Sequence, residues 1–383
     1  MRTALAILFW LSASLIVWTH AGYPLALALL ARARRAPPRP GAPTAPLPSL
    51  SLIVAAHDEE AVIEAKVRNA LDLDYPRERL EVIVACDGCA DATAARARAA
   101  GADRVLELPR GGKIRAQDLA VERASGEIVA FSDANALWEP DAARELVGAF
   151  ADARVGYACG AVTFERAHGG AGASNQEGTY WRYELAVRAL ESQLYSITAG
   201  NGAIYATRRD AYIVVDPVMG HDLSLPFNMV KRGYRAAYVP RARAREKMVP
   251  SLAGEFARKR RMMSHTWPIV LRGGMLSPRG YPPGYALMML SHRVLRYFTP
   301  ILHVVAFAAN VALVAEGAGA LYVATLALQL ALLAAALLAG PVRARPLLIA
   351  RYYVLTTASL AAGLWDWLRH GTPAWWDAAE GTR

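Results

Sequence analysis

Cysteine is scarce in this sequence, which has three among its 383 residues: Cys86, Cys89 and Cys159. Small secreted domains held by disulfides carry more, usually in even number, so the sequence excludes that class of protein. The same scarcity suits a catalytic region in the cytosol. Cys86 and Cys89 form a C-x-x-C pattern, but no partner thiols exist for a zinc site. We therefore favour two residues that flank Asp87 over a redox pair.

Two phosphate-binding motifs are absent as well. The sequence has no G-x-G-x-x-G and no Walker A pattern, which argues against dinucleotide-binding and P-loop proteins. The formal net charge is +10, but no nucleic-acid-binding motif or basic patch interleaved with aromatic residues accompanies it. We attribute the excess of arginine to contact with anionic lipid beside membrane helices, and we expect no nucleic-acid partner.

Charged residues are also missing from a long stretch near the start. Residues 3–31 contain no Asp, Glu, Lys or Arg, and about 20 apolar residues suffice to cross a bilayer. A cleaved signal peptide is the alternative, but the run exceeds the usual apolar core of about 7–15 residues. Basic residues then orient the following segment toward the cytoplasm, namely Arg32, Arg34, Arg35 and Arg39.

Three more apolar runs lie near the other end, at 299–316, 318–340 and 346–368, and they predict three further membrane helices. Arg343 and Arg345 separate the last two runs and indicate a cytoplasmic link. With the first helix, the chain then spans the membrane four times, and both termini lie outside the cytoplasm.

Residues 282–298 mix apolar side chains with His292, Arg293 and Arg296. This composition predicts an amphipathic helix at the membrane surface, with a buried connector as the alternative. The predicted organisation is an N-terminal transmembrane helix, an Arg/Pro-rich cytoplasmic linker, a catalytic domain, an interfacial segment, three transmembrane helices and a tail. Their ranges are 1–31, 32–49, 50–272, 273–298, 299–370 and 371–383.

Between the apolar ends, short β-branched runs alternate with helical patterns. Strands are predicted at 49–57, 80–87, 104–108 and 127–133, and helices at 59–71, 89–100 and 114–124. This alternation is typical of βαβ units, and it predicts an α/β fold whose mainly parallel sheet is covered on both faces.

Polar residues stand where three of these strands end. Glu59 and Glu60 follow the first strand, Asp87 closes the second, and Asp133 with Asn135 follows the fourth. Ligands bind at the carboxyl ends of strands in such sheets. One acid could cap a helix, and Asp133 could cap a helix entered at 138–140, but three acidic strand ends at one edge indicate a binding site.

Six segments in this order carry a family resemblance: LIVAAHDEE, VIVACDGCADAT, GGKIRAQDLAVERASGEIVAFSDAN, TAGNGAIYATRRD, GHDLSLPFNMVKRGY and ARKRRM. They resemble membrane-bound family 2 glycosyltransferases, relatives of cellulose, chitin and hyaluronan synthases, over about residues 50–300. The resemblance implies a GT-A type nucleotide-sugar-binding domain with N- and C-terminal transmembrane helices. It also implies an integral membrane enzyme of the cell envelope, with its catalytic domain in the cytoplasm.

For the donor, the resemblance implies a nucleotide sugar, with UDP as the nucleotide. Asp133 and Asn135 match a family Asp-x-Asp pattern that holds Mg²⁺ or Mn²⁺ against the diphosphate, and Asn135 departs from it because its oxygen is neutral. Asp87 and Glu59 or Glu60 are expected near the base or ribose. Lys113, after a flexible Gly pair, is expected to reach the phosphates.

For the acceptor, the resemblance implies a polysaccharide, lipid or glycan. Asp222 matches the general base of an inverting transfer, and His221 before it could lend a proton or orient it; an N-cap is the alternative for Asp222. Gly200, Asn201 and Gly202 match a turn whose backbone lies close to the acceptor sugar.

The segment ARKRRM departs from the Gln-x-x-Arg-Trp pattern of processive members. Arg261 matches the arginine that meets the diphosphate, whereas the tryptophan is absent and only Trp267 lies nearby. Long-chain processivity is therefore not predicted. A polymer channel would need more than four spans, which a homodimer could supply. Two other classes remain open from sequence alone, a transporter and a non-catalytic nucleotide sensor.

Overall fold

The computed structural model describes residues 1–33, 46–165, 173–247, 252–340, 342 and 344–375. Most of the predicted linker lies outside the described residues. Of the arginines used to predict orientation, Arg32 and Arg345 are described, and the others lie outside: Arg34, Arg35, Arg39 and Arg343.

Eight strands in the described ranges form one sheet: β1 Leu50–Ala56, β2 Leu80–Asp87, β3 Arg104–Leu108, β4 Ile128–Asp133, β5 Leu137–Trp138, β6 Val155–Glu165, β7 Tyr205–Arg208 and β8 Arg235–Lys247. Their order across the sheet is β3-β2-β1-β4-β7-β6-β8-β5. β1 to β4 pair in parallel, and so do β6 and β8, whereas β7 and β5 pair antiparallel with their neighbours.

The helices of the described chain are α1 Arg2–Val17, α2 Tyr23–Ala33, α3 Ile63–Leu71, α4 Thr93–Ala99, α5 Lys113–Arg123, α6 Ala142–Gly148, α7 Ala173–Leu194, α8 His221–Lys231, α9 Leu252–Leu271, α10 Pro283–Met289, α11 Leu295–Tyr297, α12 Thr299–Ala315, α13 Ala320–Leu338 and α14 Arg345–His370. Two π-helical turns, Trp18–Gly22 and Leu290–Val294, join α1 to α2 and α10 to α11.

Three of the parallel strands form the deeply buried centre of the sheet. β1, β2 and β4 consist mainly of aliphatic residues, and nearly all of their side chains are buried. Strands of this composition need helices on both faces, since neither face can meet water. Separate apolar clusters cover the two faces, one containing Leu52 and Trp138 and the other Ile53 and Phe131. The predicted α/β architecture is confirmed.

One predicted helix starts too early. The pattern from residue 59 predicts a helix there, but α3 begins at Ile63. Asp58 has a φ of +49°, a left-handed conformation that Asp tolerates better than most residues. The chain therefore turns after β1, and Glu59 and Glu60 lie in the turn.

The helix that was considered to start at 138–140, with Asp133 as its cap, is also not found there. Trp138 belongs to β5, its N–H donates to Asn69 Oδ1 at 2.8 Å, and it pairs with Ala244 of β8. The next helix, α6, starts only at Ala142 after Asp141. Asp133 therefore caps no helix, which removes the structural alternative for its carboxylate.

Three helices are long and apolar enough to cross a membrane, spanning Arg2–Ala33, Ala320–Leu338 and Arg345–His370. α12 and the helical segment before it pass the same test together, but they are bent by 66°. Arg2 pairs with Glu316 at 3.4 Å between Nε and Oε2. The start of the first helix thus meets the end of α12.

A buried ion cluster, the junction cluster, joins α7 to the segment before α12. Its members are Glu184, Glu191, His292, Arg293 and Arg296. Arg293 Nη2 and Arg296 Nη1 lie 2.7 and 2.5 Å from the oxygens of Glu184. His292 Nδ1 lies 2.7 Å from Glu191 Oε1, which also accepts from the Tyr23 hydroxyl of α2.

The segment at 282–298, predicted as an amphipathic helix at the membrane surface, has its basic face buried and part of its apolar face exposed. Its three basic residues face the protein interior, while Leu287 and Leu290 are 58% and 48% exposed. The basic side chains face inward because the two glutamates of α7 offer them counter-charges, and a charge removed from water needs such a partner.

The residues after α14 contact the catalytic part of the chain. Thr372 Oγ1 donates to the carbonyl of Ser264 on α9 at 2.9 Å, and the carbonyl of Ala374 lies against Gly112. In a membrane, contacts of this kind would require an even number of crossings between the catalytic part and the tail. They therefore favour a tail on the same side as the sheet, whereas the predicted three crossings would place the two on opposite sides.

Candidate functional site

The ends of three parallel strands lie side by side at one edge of the sheet. In the ladder, Ala55 of β1 stands opposite Asp133 of β4, and Ala56 stands opposite Cys86 of β2. The acids that follow these positions share that edge, as the sequence predicts. A surface pocket of about 530 Å³, lined in part by Glu127 and Arg209, lies at the other end of these strands.

Asp133 and Lys113 form an ion pair at this edge. Burial lowers the pKa of Lys113, but Asp133, with smaller contributions from Asp222 and Glu246, raises it above its ordinary value overall. A Cβ on Gly202 would lie 3.1 Å from Lys113 Nζ and 3.5 Å from Asp133 Oδ2. The glycine turn, the lysine and the acid therefore meet, and no bulkier residue at 202 would leave this contact undisturbed.

Lys66 is a charged residue at this site that the sequence analysis missed. It is wholly buried in α3, and its Nζ donates to the carbonyl of Ala136 at 2.5 Å. Burial lowers the pKa of Lys66 to about 7, although Asp133 and Glu246 oppose the shift. Lys66 thus holds the turn that follows Asp133 from beneath.

Glu246 is the second missed residue. β5 and β8 pair through Leu137 with Arg245, and the next step in that antiparallel register places Glu246 opposite Ala136. Burial, and then the nearby Asp133, raises the pKa of Glu246 to about 7. A third carboxyl group therefore stands near Asp133, contributed by the other half of the sheet.

Asp87 shapes the loop that carries Lys113. It is buried, and its two carboxylate oxygens accept from the N–H groups of Gly111 at 2.6 Å and Gly112 at 2.9 Å. Gly112 has a φ of +93°, a conformation that favours glycine. Each oxygen keeps a second lone pair for another donor.

Glu59 and Glu60 lie in the turn after β1, tied to the loop after β2. The N–H of Glu59 donates to Thr93 Oγ1, and that of Glu60 to Asp91 Oδ2. Asp58, Cys89 and Asp91 bring possible metal-ligating atoms within 4.8 Å of one another. The two Asp side chains also accept backbone N–H bonds, which account for their position.

Asp222 is the second residue of α8, with Gly220 as its N-cap, so it is not the cap itself. Its carbonyl accepts from the N–H of Gly200 at 2.6 Å. Its half-buried side chain contributes to the electrostatic environment of both Lys113 and His265. The predicted base is therefore joined to the glycine turn on one side and faces the donor lysine.

The turn at 200–202 is held by side chains beneath it. Asn201 Nδ2 donates to the carbonyl of Gly160, and its Oδ1 accepts from two backbone N–H groups. Arg188 Nη2 donates to the carbonyl of Gly200 at 2.9 Å. A Cβ on Gly200 would overlap the Tyr157 hydroxyl. The side chain of Asn201 thus stabilises the turn from within, and the backbone of the turn is the part that could contact an acceptor.

Glu191 and His221, two further residues that could accept a proton by their chemistry, are turned away from the site. Glu191 is fully buried in the junction cluster. His221 is 2% exposed, and its nitrogens face the hydroxyls of Tyr205 and Tyr212 rather than Asp222. Neither side chain is open to an acceptor in this arrangement.

Arg261 lies on α9, where it lines a groove of about 350 Å³ together with Ser264, Asp366 and Pro373. Its carbonyl lies 3.0 Å from Nδ1 of His265, whose Nε2 lies 3.1 Å from the carbonyl of Pro373. Because Ala374 then touches Gly112, this part of α9 adjoins the loop before Lys113.

Trp267 does not replace the missing stacking tryptophan. It is 1% exposed, and its Nε1 donates to the carbonyl of Leu360 in α14 at 2.9 Å. Its ring packs edge-on against Phe298. The indole is thus part of the contact between α9 and α14 and has no face available for a sugar.

The residues around Asp133 fit a divalent cation by their chemistry. Two carboxylates and the carboxamide of Asn135 offer oxygen atoms, which Mg²⁺ and Mn²⁺ accept. Burial is the main cause of the raised pKa of Glu246, and the nearby Asp133 adds to it. A bound cation would offset the repulsion between these two carboxylates, and the residues present therefore suit one.

The sequence pattern points to the missed residues, Glu246 and Lys66, to different degrees. Along β8, the buried Ala242 and Ala244 alternate with exposed arginines, and Glu246 takes the next inward position, so a period of two could have identified it. Lys66 lies on the apolar face of α3 with Ile63 and Val67, a weaker signal. The tail contact left none.

Residues 48–264, more than half of the chain, match a sequence family described as Glycosyltransferase like family 2. The chain is 31% identical over 222 residues to a beta-monoglucosyldiacylglycerol synthase of Synechocystis sp., a match covering 51% of this chain and 42% of that protein. It is 27% identical over 253 residues to an N-acetylglucosaminyltransferase of Mesorhizobium japonicum, covering 58% and 57%. The chain thus spans between 42% and 57% of these relatives.

Among solved structures, the mannosyltransferase PcManGT from Pyrobaculum calidifontis, in complex with GDP-Man and Mn²⁺, is similar over nearly the whole chain. The TM-score is 0.69 at 25% identity, and the match covers 94% of this chain and 99% of the other. The likeness includes the sheet and the helices at both ends. It confirms the predicted GT-A type α/β domain flanked by N- and C-terminal helices of membrane-spanning length and composition.

Proposed function

Because this chain belongs to glycosyltransferase family 2, we propose that it transfers a sugar from a nucleotide-sugar donor to an acceptor hydroxyl with inversion at the anomeric carbon. The observation that carries the proposal is the meeting of Lys113, Asp133 and the Gly202 turn at one sheet edge. Family membership favours an enzyme over the transporter and the sensor that the sequence left open.

In the proposed reaction, Asp222 accepts the proton of the acceptor hydroxyl as that oxygen attacks the anomeric carbon. The bond from that carbon to the diphosphate breaks, and its electron pair leaves with the nucleoside diphosphate. Lys113 and Arg261 counter the charge that develops on the departing group. The proton ends on the Asp222 carboxylate, which releases it to solvent after the product leaves.

We propose Mg²⁺ or Mn²⁺ as the cofactor, held by Asp133 and Asn135. The cation supplies a positive charge for the donor diphosphate when bound. The Mn²⁺ present in the PcManGT complex supports this choice of metal. Lys113, already paired with Asp133, would then be released to contact a phosphate oxygen.

For the donor, Asp87 and the turn containing Glu59 and Glu60 form the part of the site proposed for the base and ribose. The family resemblance favours UDP, whereas PcManGT was solved with GDP-Man. A panel that contains both nucleotides is therefore the appropriate first assay.

For the acceptor, we propose a lipid hydroxyl. α8, which carries Asp222, packs through Leu223 and Phe227 into an apolar cluster that also contains Tyr23 and Leu360. Those two residues belong to helices of membrane-spanning length, so the base lies next to the part of the molecule that meets a bilayer. The glucosyldiacylglycerol synthase among the relatives supports this class of acceptor.

A saccharide acceptor is the second candidate, supported by the N-acetylglucosaminyltransferase relatives. Both candidates share the orientation proposed here, an integral membrane protein with its catalytic part in the cytoplasm, where nucleotide sugars are available. Arg32, at the catalytic end of the first helix, is consistent with that orientation.

The test uses the full chain purified into lipid nanodiscs with Mn²⁺ and a panel of UDP and GDP sugars. Diacylglycerol in the nanodisc and soluble oligosaccharides are offered as acceptors, and products are identified by mass spectrometry. We expect a glycolipid from one donor, absent with Asp133→Ala. Absence of sugar transfer from every donor to both acceptors would refute the proposed function, and an oligosaccharide product alone would refute the lipid acceptor.

A further inference from the structure

A largely buried hydrogen-bond cluster lies directly behind Asp222. It is termed here the His221 hub, and its members are Gln117, Asp118, Tyr205, Tyr212 and His221. The Tyr205 hydroxyl lies 2.9 Å from His221 Nδ1 and 3.2 Å from Gln117 Oε1. The Tyr212 hydroxyl lies 3.3 Å from His221 Nε2 and donates to Asp118 Oδ1 at 2.5 Å.

The protonation of the hub follows from its surroundings. Burial, with a smaller effect of Lys113, lowers the pKa of His221 to about 3, so the imidazole is neutral at physiological pH. A neutral imidazole has one donor and one acceptor nitrogen. Because the Tyr212 hydroxyl donates to Asp118, its oxygen accepts from Nε2–H. Nδ1 is then an acceptor, and it shares the single hydroxyl proton of Tyr205 with Gln117 Oε1.

The hub joins three elements that each carry a residue of the proposed site. Gln117 and Asp118 lie one turn after Lys113 in α5. Tyr205 begins β7, shortly after the Gly202 turn. His221 begins α8, and Asp222 follows it. Stacking of Phe131 on Tyr205, at 4.7 Å between ring centres, and edge-on contact of Phe131 with His221 fix the rings in place.

We propose that the His221 hub positions Asp222 relative to Lys113, and thereby sets the distance between the base and the donor phosphates. The inference rests on the proposed function. His221 is the residue through which this happens, because its side chain joins the first turn of α8 to Tyr205 of β7 and, through the tyrosine hydroxyls, to α5. The backbone bond from Gly200 to the Asp222 carbonyl holds the main chain and leaves the direction of the α8 turn to His221. His221 neither donates a proton to the reaction nor touches substrate; it is a positioning residue.

The physical reason is that the rate of proton transfer depends steeply on the distance between the base and the acceptor hydroxyl. A misplacement of about 1 Å, caused by a change away from the reacting atoms, can lower a rate by about 10². Lys113 has its own anchor, since it directly follows the loop that Asp87 holds through Gly111 and Gly112. Loss of the hub should therefore displace Asp222 more than the donor site.

The experiment compares His221→Leu with His221→Gln in the full chain. We expect His221→Leu to lower kcat by about 10- to 100-fold, with the Kd for donor measured by calorimetry unchanged. His221→Gln keeps a donor and an acceptor, so it should recover a large part of kcat. If His221 had only a structural role, His221→Leu would weaken donor binding or lower thermal stability along with kcat, and His221→Gln would not restore kcat selectively.

Tyr205→Phe provides a second line of evidence, because it removes one hydroxyl and keeps the aromatic stack. Alone it should lower kcat, and in the His221→Leu background it should have no further effect, since the link is already broken. Ser224→Ala is the matched control. Ser224 lies in the same turn and donates to the carbonyl of Gly220 at 2.7 Å, outside the hub, and its loss should leave kcat unchanged.

The outcomes separate this inference from the proposed function. A wild type that transfers sugar, with a His221→Leu variant of equal kcat, would overturn the inference alone. A wild type that transfers no sugar would overturn both. If His221→Leu does not fold, Tyr205→Phe and Tyr212→Phe decide the matter, and wild-type kcat in both would reject the hub as a positioning device.

Discussion

The carbonyl group of Ala374 lies against the Cα of Gly112, where a Cβ would overlap its oxygen. One of these residues follows the last long helix of the chain, and the other precedes the lysine of the proposed donor site. In a membrane, a contact of this kind would keep the tail on the side of the catalytic part, independently of how basic residues are distributed.

The first prediction therefore concerns topology. A reporter fused after Arg383 should read as cytoplasmic, like one inserted in the catalytic part. A reporter inserted after Gly317 should read as extracytoplasmic, because Glu316 pairs with Arg2, which is separated from Tyr23 by roughly 30 Å of helix at about 1.5 Å per residue. An extracytoplasmic reading at Arg383 would mean that the tail contact does not form in the membrane.

The second prediction concerns the metal. Asp133→Ala should abolish Mn²⁺ binding, measured by calorimetry or electron paramagnetic resonance without donor, while Asn135→Asp should raise the affinity because it adds a negative charge. Asp91→Ala is the control, since Asp91 belongs to the other cluster of possible ligands. If Asp133→Ala keeps Mn²⁺ binding and Asp91→Ala loses it, the cation binds at the Asp58–Cys89–Asp91 cluster and the proposed site at Asp133 is rejected.

The third prediction concerns the base. Asp222→Asn should lower transfer by about 10²–10⁴-fold, the usual contribution of general base catalysis. Donor affinity should survive, because in the proposed site Lys113, and Asp133 through the cation, hold the diphosphate independently of Asp222. Asn is nearly isosteric, so thermal stability should change little. Turnover close to that of the wild type in a folded variant would reject Asp222 as the proton acceptor.

The fourth prediction concerns the acceptor turn. Gly200→Ala should lower thermal stability, by about 1–3 kcal/mol as for overpacked cores, because its methyl group would meet the Tyr157 hydroxyl. That hydroxyl is buried and has no hydrogen-bond partner in the described part of the chain. Tyr157→Phe alone should therefore be neutral, and it should restore much of the stability in the double variant. A double variant as unstable as Gly200→Ala would contradict this account.

The fifth prediction concerns Lys66 and pH. Its pKa is about 7 in the folded protein and 10.5 as its ordinary value, so the unfolded chain binds more protons between these limits. Stability should then rise with pH from about 7 to 10, by an amount on the order of a few kcal/mol. Lys66→Met should remove this rise in thermal unfolding experiments. Arg68→Met, an exposed change on the same helix, should keep it.

The first four strands of the sheet could be predicted from the sequence, because β1, β2 and β4 are mainly aliphatic runs with clear ends. The other four described strands, β5 to β8, were not predicted. The sequence also predicts Asp133, Lys113 and Asp222 as site residues, since their order along the chain matches a family pattern. The structure brings Asp133 and Lys113 into contact, and the roles of all three stay predictions. These signals are local, or they depend only on the order of segments. Helix starts were less certain, because a turn residue such as Asp58 overrode the helical pattern that follows it.

The rest of the site depends on contacts between residues distant in sequence. Glu246 reaches Asp133 only because β8 returns beside β5, and Tyr212 reaches Asp118 across 94 residues. The inward turn of Arg293 depends on Glu184, which lies 109 residues earlier. No periodicity within either segment contains that information, since the burial of a charge depends on a partner that the other segment supplies.

The junction cluster bears on how the protein is made. Tyr23 and Glu191 are 168 residues apart, and His292 lies 101 residues beyond Glu191. A ribosome thus releases the first helix and α7 well before their basic partners exist. Until those partners emerge, Glu184 and Glu191 would be buried charges without counter-charges, which costs several kcal/mol. Thr198, which precedes the glycine turn and bonds to both Glu191 and Arg293, cannot settle earlier. A nascent chain therefore has no finished acceptor turn until its C-terminal helices begin to be synthesised.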